Sequence, residues 1–332
     1  MRKSFETQPA LFAGPALFDH PALKALDPVE ELFDWPGLEA QVTTAGGKAT
    51  GRPGYPVQTL LRALLLGVWH GLSDEHLEKQ LARDLLFRKF CRLEIDAETP
   101  DATTLGRFRA RLEAEGLLAG LFEAVKAQLA AKHVILSEGR VAIVDATVVE
   151  AARTGRGKLE AGETDSRDPE AGAHVKINAR GRKVGTWGYQ YQVNADEDGF
   201  IHAQTVTPGN AHEIRSWEGL MTGGETELYA DCAYSAQETR DTLAARGVAD
   251  KVQRKGYRNR PLPEAEVERN KEIGVTRAGV ERIFGHSKRV WGLARTRFIG
   301  LRRNQTHFTL VATAWNIWKG GRFFELYGLR TS

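Results

Sequence analysis

The segment running from Gly139 to Ala151, GRVAIVDATVVEA, constrains this chain more than any other. Its density of β-branched residues reads as a buried strand. It follows about eighty residues whose apolar positions recur with helical spacing, so a helical part must give way here to one that contains a sheet. An acid, Asp145, stands in the middle of the strand. Burying an ionised carboxylate is costly unless it is paired or metal-bound. The alternative is an Asp at a strand end, bonded to backbone amides.

Upstream, residues 1–54 read as an irregular arm and linker, with prolines at 9, 15, 21, 28, 36 and 53 and the Gly-rich run TTAGGKATGRPGYP. Residues 56–71 are apolar nearly all round and predict a core helix ending at Gly71. Ser73 caps the next helix, DEHLEKQLARDLLFRKFC, with Asp74 and Glu75 in its first turn. A third helix starts near Asp101, capped by Thr103 or Thr104. Its apolar stripe is Leu105, Phe108 and Leu112, while Arg107, Arg109 and Arg111 face elsewhere. A fourth covers 117–133. Short connections imply a compact helical domain over 1–135. The Arg-bearing helix after a capped helix pair resembles a helix-turn-helix, with these three arginines directed at DNA.

Residues 136–332 alternate strands and helices, which predicts a mixed α/β domain. Residues 151–186 are Gly- and charge-rich and read as a mobile loop. A hairpin follows, turning at Asp198-Gly199. The strand in TELYADCAY ends near Asp231, Ser235 caps a helix over SAQETRDTLAARG, and VADKVQRK is a further strand. A helix spans about Thr276 to Arg289, and a last one covers THFTLVATAWNIWKGGRFFELYG.

Two more acids join Asp145. Asp231 closes a strand, where it could equally be an ordinary cap. Glu281 lies in the apolar setting VERIF, where it could simply pair with Arg277 at i−4, an exposed arrangement contributing only a few tenths of a kcal/mol. At about 100° per residue, Arg277, Glu281, Phe284 and Lys288 share one narrow helix face. A carboxylate bracketed by two cations stays ionised near neutrality. Three carboxylates on separate elements suit a hard cation such as Mg²⁺. Two such ions can activate water and stabilise a leaving 3′ oxygen at phosphorus.

Charge is distributed to match. Residues 251–332 hold 18 Lys or Arg against 6 Asp or Glu, whereas the rest of the chain holds 28 against 37. From Arg282 to Arg303 there are seven cations (Arg282, Lys288, Arg289, Arg295, Arg297, Arg302 and Arg303) and no acid. Interspersed Phe284, Trp291 and Phe298 suggest contact with phosphates rather than a base-reading head. A basic quarter on an acidic body implies a polyanion partner. No run approaches the roughly 18 apolar residues that span a membrane, and no secretory signal is visible. The two cysteines, Cys91 and Cys232, fit no disulfide or metal spacing, which points to a reducing cytoplasm. His70, His174, His202, His212 and His286 show no metal-ligand spacing either.

Together these motifs resemble the DDE transposases of bacterial insertion sequences, in particular the group called insertion sequence family five. Arg277, Glu281 and Lys288 match that group's Arg, three residues, Glu, six residues, Lys signature, with Gly274 where the signature has Tyr. VDATVVEA matches its first-acid strand at Asp145, and ADCAY its second-acid segment at Asp231. VTPGNAHE resembles the stretch between them, and GRPGYP, LSDEHLEKQL, LFRKFCRL and TPDATTLGRFRARL resemble the helical N-terminal domain. The likeness spans about residues 10–325. It implies an RNase H-like catalytic domain with Asp145, Asp231 and Glu281 as catalytic metal ligands for two Mg²⁺, replaceable by Mn²⁺. It also implies double-stranded DNA partners (terminal inverted repeats and target DNA) and a homodimer or larger assembly on paired ends. A metal-dependent nuclease of the same fold without strand transfer is one alternative. A domesticated, non-catalytic DNA-binding protein is another.

Overall fold

A computed structural model describes residues 19–46, 54–135, 140–152, 167–177, 182–257 and 260–328. Ten α-helices and six strands lie within them. The proline-rich stretch after residue 20 is helical where irregular chain was expected. Pro28 lies in the first turn of α1 (Asp27–Leu32) and Pro36 in the first turn of α2 (Trp35–Ala40). Proline's fixed φ suits a helix's first turn, where its missing N–H has no intrahelical partner to lose. Most of the expected Gly-rich linker, 47–53, lies outside the described residues.

α3 (Val57–Trp69) is buried almost all round. The helix expected from Ser73 is two helices. α4 (Asp74–Arg83) has Ser73 as its cap, and α5 (Leu85–Phe90) begins after Asp84, whose carboxylate accepts from the Leu86 and Phe87 amides at 2.8 and 3.2 Å. α6 (Ala102–Glu115) is capped by Asp101 rather than by a threonine, since the Asp101 carboxylate accepts from Thr104 N at 2.6 Å. It ends at left-handed Gly116, and α7 (Leu117–Ala131) follows directly.

The sheet is built around β1 (Val141–Glu150). On one side, β3 (Lys183–Ala195) and then β4 (Ile201–Pro208) run antiparallel. On the other, β5 (Glu227–Ala230) and β6 (Ala249–Val252) run parallel to β1. β2 (Gly172–Ile177) pairs with the outer half of β3, so part of the expected 151–186 loop is strand. Residues 153–166 and 178–181 lie outside the described residues. β2, β3 and the end of β4 cross at glycines. A Cβ on Gly188 would lie 2.0 Å from Val149 O, and one on Gly209 would lie 2.4 Å from Gly172 O. Only glycine permits that backbone approach.

The hairpin turns where expected, with Gly199 at φ 81°. α8 (Gln237–Ala245) starts after Ala236, without the expected Ser235 cap. α9 extends well upstream of the expected start, from Glu264 to Arg289. α10 (Leu301–Tyr327) is the pillar of the molecule, packing on α1, α3 and α7 and on β4. The Asn316 side chain clamps β4 by accepting from Ile201 N at 2.9 Å and donating to Ile201 O at 2.8 Å. Trp69 Nε1 donates to Ala314 O at 2.9 Å from the helical side. A single apolar cluster therefore runs from Val29 and Leu64 through Phe108 to Tyr191 and Phe308. Each such fully buried side chain stabilises by roughly 1.5–3 kcal/mol. A smaller cluster, including Val144, Leu228 and Tyr234, fills the other sheet face.

Candidate active site

The parallel register of β1 and β5 sets the geometry. Val141 pairs with Glu227, Ala142 with Leu228 and Ile143 with Tyr229. Two residues further along each strand stand Asp145 and Asp231, at the carboxyl end of the parallel pair. That end is where open α/β sheets present their ligand sites. Asp231 is indeed a cap, its Oδ1 accepting from Ala233 N at 2.8 Å, which leaves its second oxygen unengaged by that role. Asp145 is not at the end of its own strand, because β1 continues to Glu150 against β3.

α9 lies across these strands, fastened to β1 at two points. Arg277 Nη2 is 3.3 Å from Asp145 Oδ1, and Lys288 Nζ donates to Val148 O at 2.7 Å. Arg277 thus pairs with Asp145 rather than with Glu281 at i+4. Glu281 lies between the two anchors, exposed to solvent.

Burial pushes the Asp145 carboxyl up to about 6. Arg277 opposes that rise, and the charges of Asp231 and Glu281 add to it. Both other acids are therefore near enough to act on Asp145. Among the described residues no three His, Cys, Asp or Glu side chains already stand as a cage for an ion. Carboxylates that lack a cation between them repel, and here Arg277 occupies part of that role. The donor set, all hard oxygen, and the uncompensated acids around Asp145 fit a divalent cation.

Sequence reasoning missed Glu213. It opens a 3-10 turn (Glu213–Arg215) that packs against the turn Cys232–Tyr234 capped by Asp231. Burial pushes its carboxyl up to about 7, with Asp231 and Asp145 adding and Lys176 and Arg277 opposing. Tyr234 is fully buried nearby, and its hydroxyl has no hydrogen-bond partner. No local pattern marks Glu213, since its neighbours in PGNAHE read as a loop.

The sequence-predicted cations fall into two sets. Several are engaged within the protein. Arg109 grips Asp74 through two 2.7 Å bonds, joining α6 to α4, and lies over Phe298. Arg295 Nη2 is 3.3 Å from Glu150 Oε1, and Arg302 Nε is 3.5 Å from Glu113 Oε1. Arg297 donates to Leu72 O, and Arg111 is half-buried on α6. Arg107, Arg289 and Arg303 are exposed. Lys288 is half-buried, and burial together with nearby Lys176 lowers its pKa. No described helix is long and apolar enough to cross a membrane.

A sheet ordered β4-β3-β1-β5-β6, with one acid within β1, a second just after β5 and a helix crossing them, is the RNase H-like arrangement. Residues 136–317 match the family described as transposase DDE domain, and residues 19–111 match a transposase domain (DUF772). The chain belongs to the DDE transposases of insertion sequences. It is therefore an enzyme of transposition that acts on DNA, in a family that uses divalent metals.

Proposed function

We propose that this transposase cuts DNA at the ends of an insertion sequence and joins them to target DNA, using Asp145, Asp231 and Glu281 to hold two Mg²⁺ ions, with Mn²⁺ as a substitute. The observation that carries this reading is the β1–β5 register, which brings two acids 86 positions apart in sequence to the same strand end, under a helix bearing the third. Acids so distant in sequence gain nothing locally from that meeting. A shared cation explains it. The spacing of Arg277, Glu281 and Lys288 favours the insertion sequence family five group.

When bound, the ions supply Lewis-acid stabilisation of the attacking and leaving oxygens at phosphorus. The chain's own contribution is positioning. Arg277 keeps Asp145 charged against its burial. Lys288 fixes α9 on β1, so that Glu281 stays over the strand ends. Arg289 and Arg303 are exposed and would contact phosphates, as would Arg107 from the helical domain of residues 1–135. Catalysis would then rest in residues 136–332. Cutting and joining two ends together calls for a dimer or larger assembly on DNA.

The test supplies a labelled terminal-repeat DNA, a supercoiled target and Mg²⁺. The proposal expects cleaved ends followed by joined products. Cleavage with no joined product under any ratio of target to donor indicates the nuclease alternative, and binding without cleavage the non-catalytic one.

A further inference from the structure

We propose that Glu213 supplies a further carboxylate oxygen to the divalent-cation site, facing it from the 3-10 turn after β4. This rests on the reading of Asp145 and Asp231 as metal ligands and adds a residue that the three-acid pattern does not contain.

Backbone placement comes first. Ser216, at the end of the Glu213 turn, donates its hydroxyl to Gln192 Oε1 at 2.6 Å. Gln192 lies on β3 opposite Ala146, the residue after Asp145. The same turn packs on Cys232–Tyr234, the turn Asp231 caps. The turn that begins at Glu213 is thus tied to β3, the strand beside Asp145, and to the turn that Asp231 caps.

The side chain itself is anomalous. Glu213 is half-buried, yet no hydrogen bond or ion pair joins its carboxylate to any described residue. Its electrostatic neighbours are two acids, Asp231 and Asp145, with only Lys176 and Arg277 opposing. A negative site of that kind is destabilising on its own and favourable around a cation.

Tyr234 gives an independent sign. Its ring is 0 % exposed, and its hydroxyl has no partner. Burial raises the pKa of that hydroxyl, Glu213, Asp145 and Asp231 add to the rise and Arg277 opposes it, so it lies within the field of the same acids. A buried donor among carboxylates, bonded to none of them, marks a site shaped for something further. Hard oxygen ligands select a Mg²⁺- or Mn²⁺-like ion, which keeps several waters that such a hydroxyl can satisfy.

The experiment measures Mn²⁺ binding to the full-length, DNA-free protein by loss of the free-ion EPR signal, for wild type, Glu213→Gln, Glu213→Asp, Asp145→Asn and Asp231→Asn. Melting in EDTA confirms that each is folded. Glu213→Gln should weaken Mn²⁺ binding by about 10-fold or more, with Glu213→Asp recovering part of the loss. If Glu213→Gln binds Mn²⁺ like wild type while the Asp variants lose it, Glu213 is not a ligand and the aspartate site stands. If the Asp variants also bind like wild type, the site reading falls and this proposal with it.

Discussion

Arg277 of α9 reaches Asp145 of β1 at 3.3 Å, and its other terminal nitrogen donates to Gln253 Oε1 at 3.1 Å. Glu281 stands one turn along α9 from Arg277, and both partners of the pair are largely buried, with side chains 10 % and 14 % exposed. One cation thus stands beside a carboxylate that burial alone would neutralise. The pair favours the charged form of Asp145 against its burial.

Asp145→Asn removes a buried charge while keeping its shape. In EDTA at pH 8 the wild-type carboxylate is ionised at a desolvation cost that Asn does not carry. The variant should melt higher than wild type without metal, and added Mg²⁺ should raise only the wild-type midpoint. Thermal melts of both proteins with and without Mg²⁺ check this. A variant that melts lower in EDTA would contradict it.

Arg107 and Arg109 should separate binding from stability, although both lie on α6. Arg109 holds Asp74 through a partly buried bidentate pair, so Arg109→Ala should cost about 1–3 kcal/mol of stability. Arg107 is exposed, so Arg107→Ala should leave the melt unchanged. An Arg107→Ala/Arg303→Ala variant should bind DNA less tightly, with the salt slope lowered by about two. An unchanged slope would remove these arginines from the interface.

His307 sets a pH dependence. Burial, then Arg297 and Arg109, push its pKa from 6.5 down to about 3. A base whose folded pKa is lowered binds fewer protons folded than unfolded between those values. Its contribution is therefore fully present above pH 6.5 and is lost as pH falls towards 3. Urea midpoints at pH 7.5 and 5 should differ less for His307→Leu than for wild type. Equal pH sensitivity would mean that another group dominates.

Much of this was legible in the sequence because the chemistry there opposes local structure. Asp145 interrupts an apolar strand, and Glu281 stands between apolar neighbours in VERIF. Local capping was read correctly at Ser73 but missed at Asp84, which lies inside a continuous helical pattern, and at Asp101, which lies just before one. The prolines at 28 and 36 were read as marks of irregular chain, yet each lies in the first turn of a helix, because propensity does not say which side of a proline the helix lies on. β2 was hidden because a glycine-rich crossing is stabilised by its partners, not by side chains of its own. Glu213 was invisible for a different reason. Only the packing of two turns brings it to the aspartates, and no spacing within PGNAHE encodes that meeting.

Glu281 is exposed on α9, which Arg277 and Lys288 fasten to β1 and Arg269 fastens to β6. The most direct measurement is cleavage of a labelled insertion-sequence end in Mg²⁺ by Glu281→Gln, beside wild type and Arg277→Ala. Glu281→Gln should bind the DNA at least as tightly as wild type and leave it uncut. Arg277→Ala should cut slowly, because Asp145 loses its neighbouring cation. Cutting by Glu281→Gln at the wild-type rate would contradict the three-acid centre.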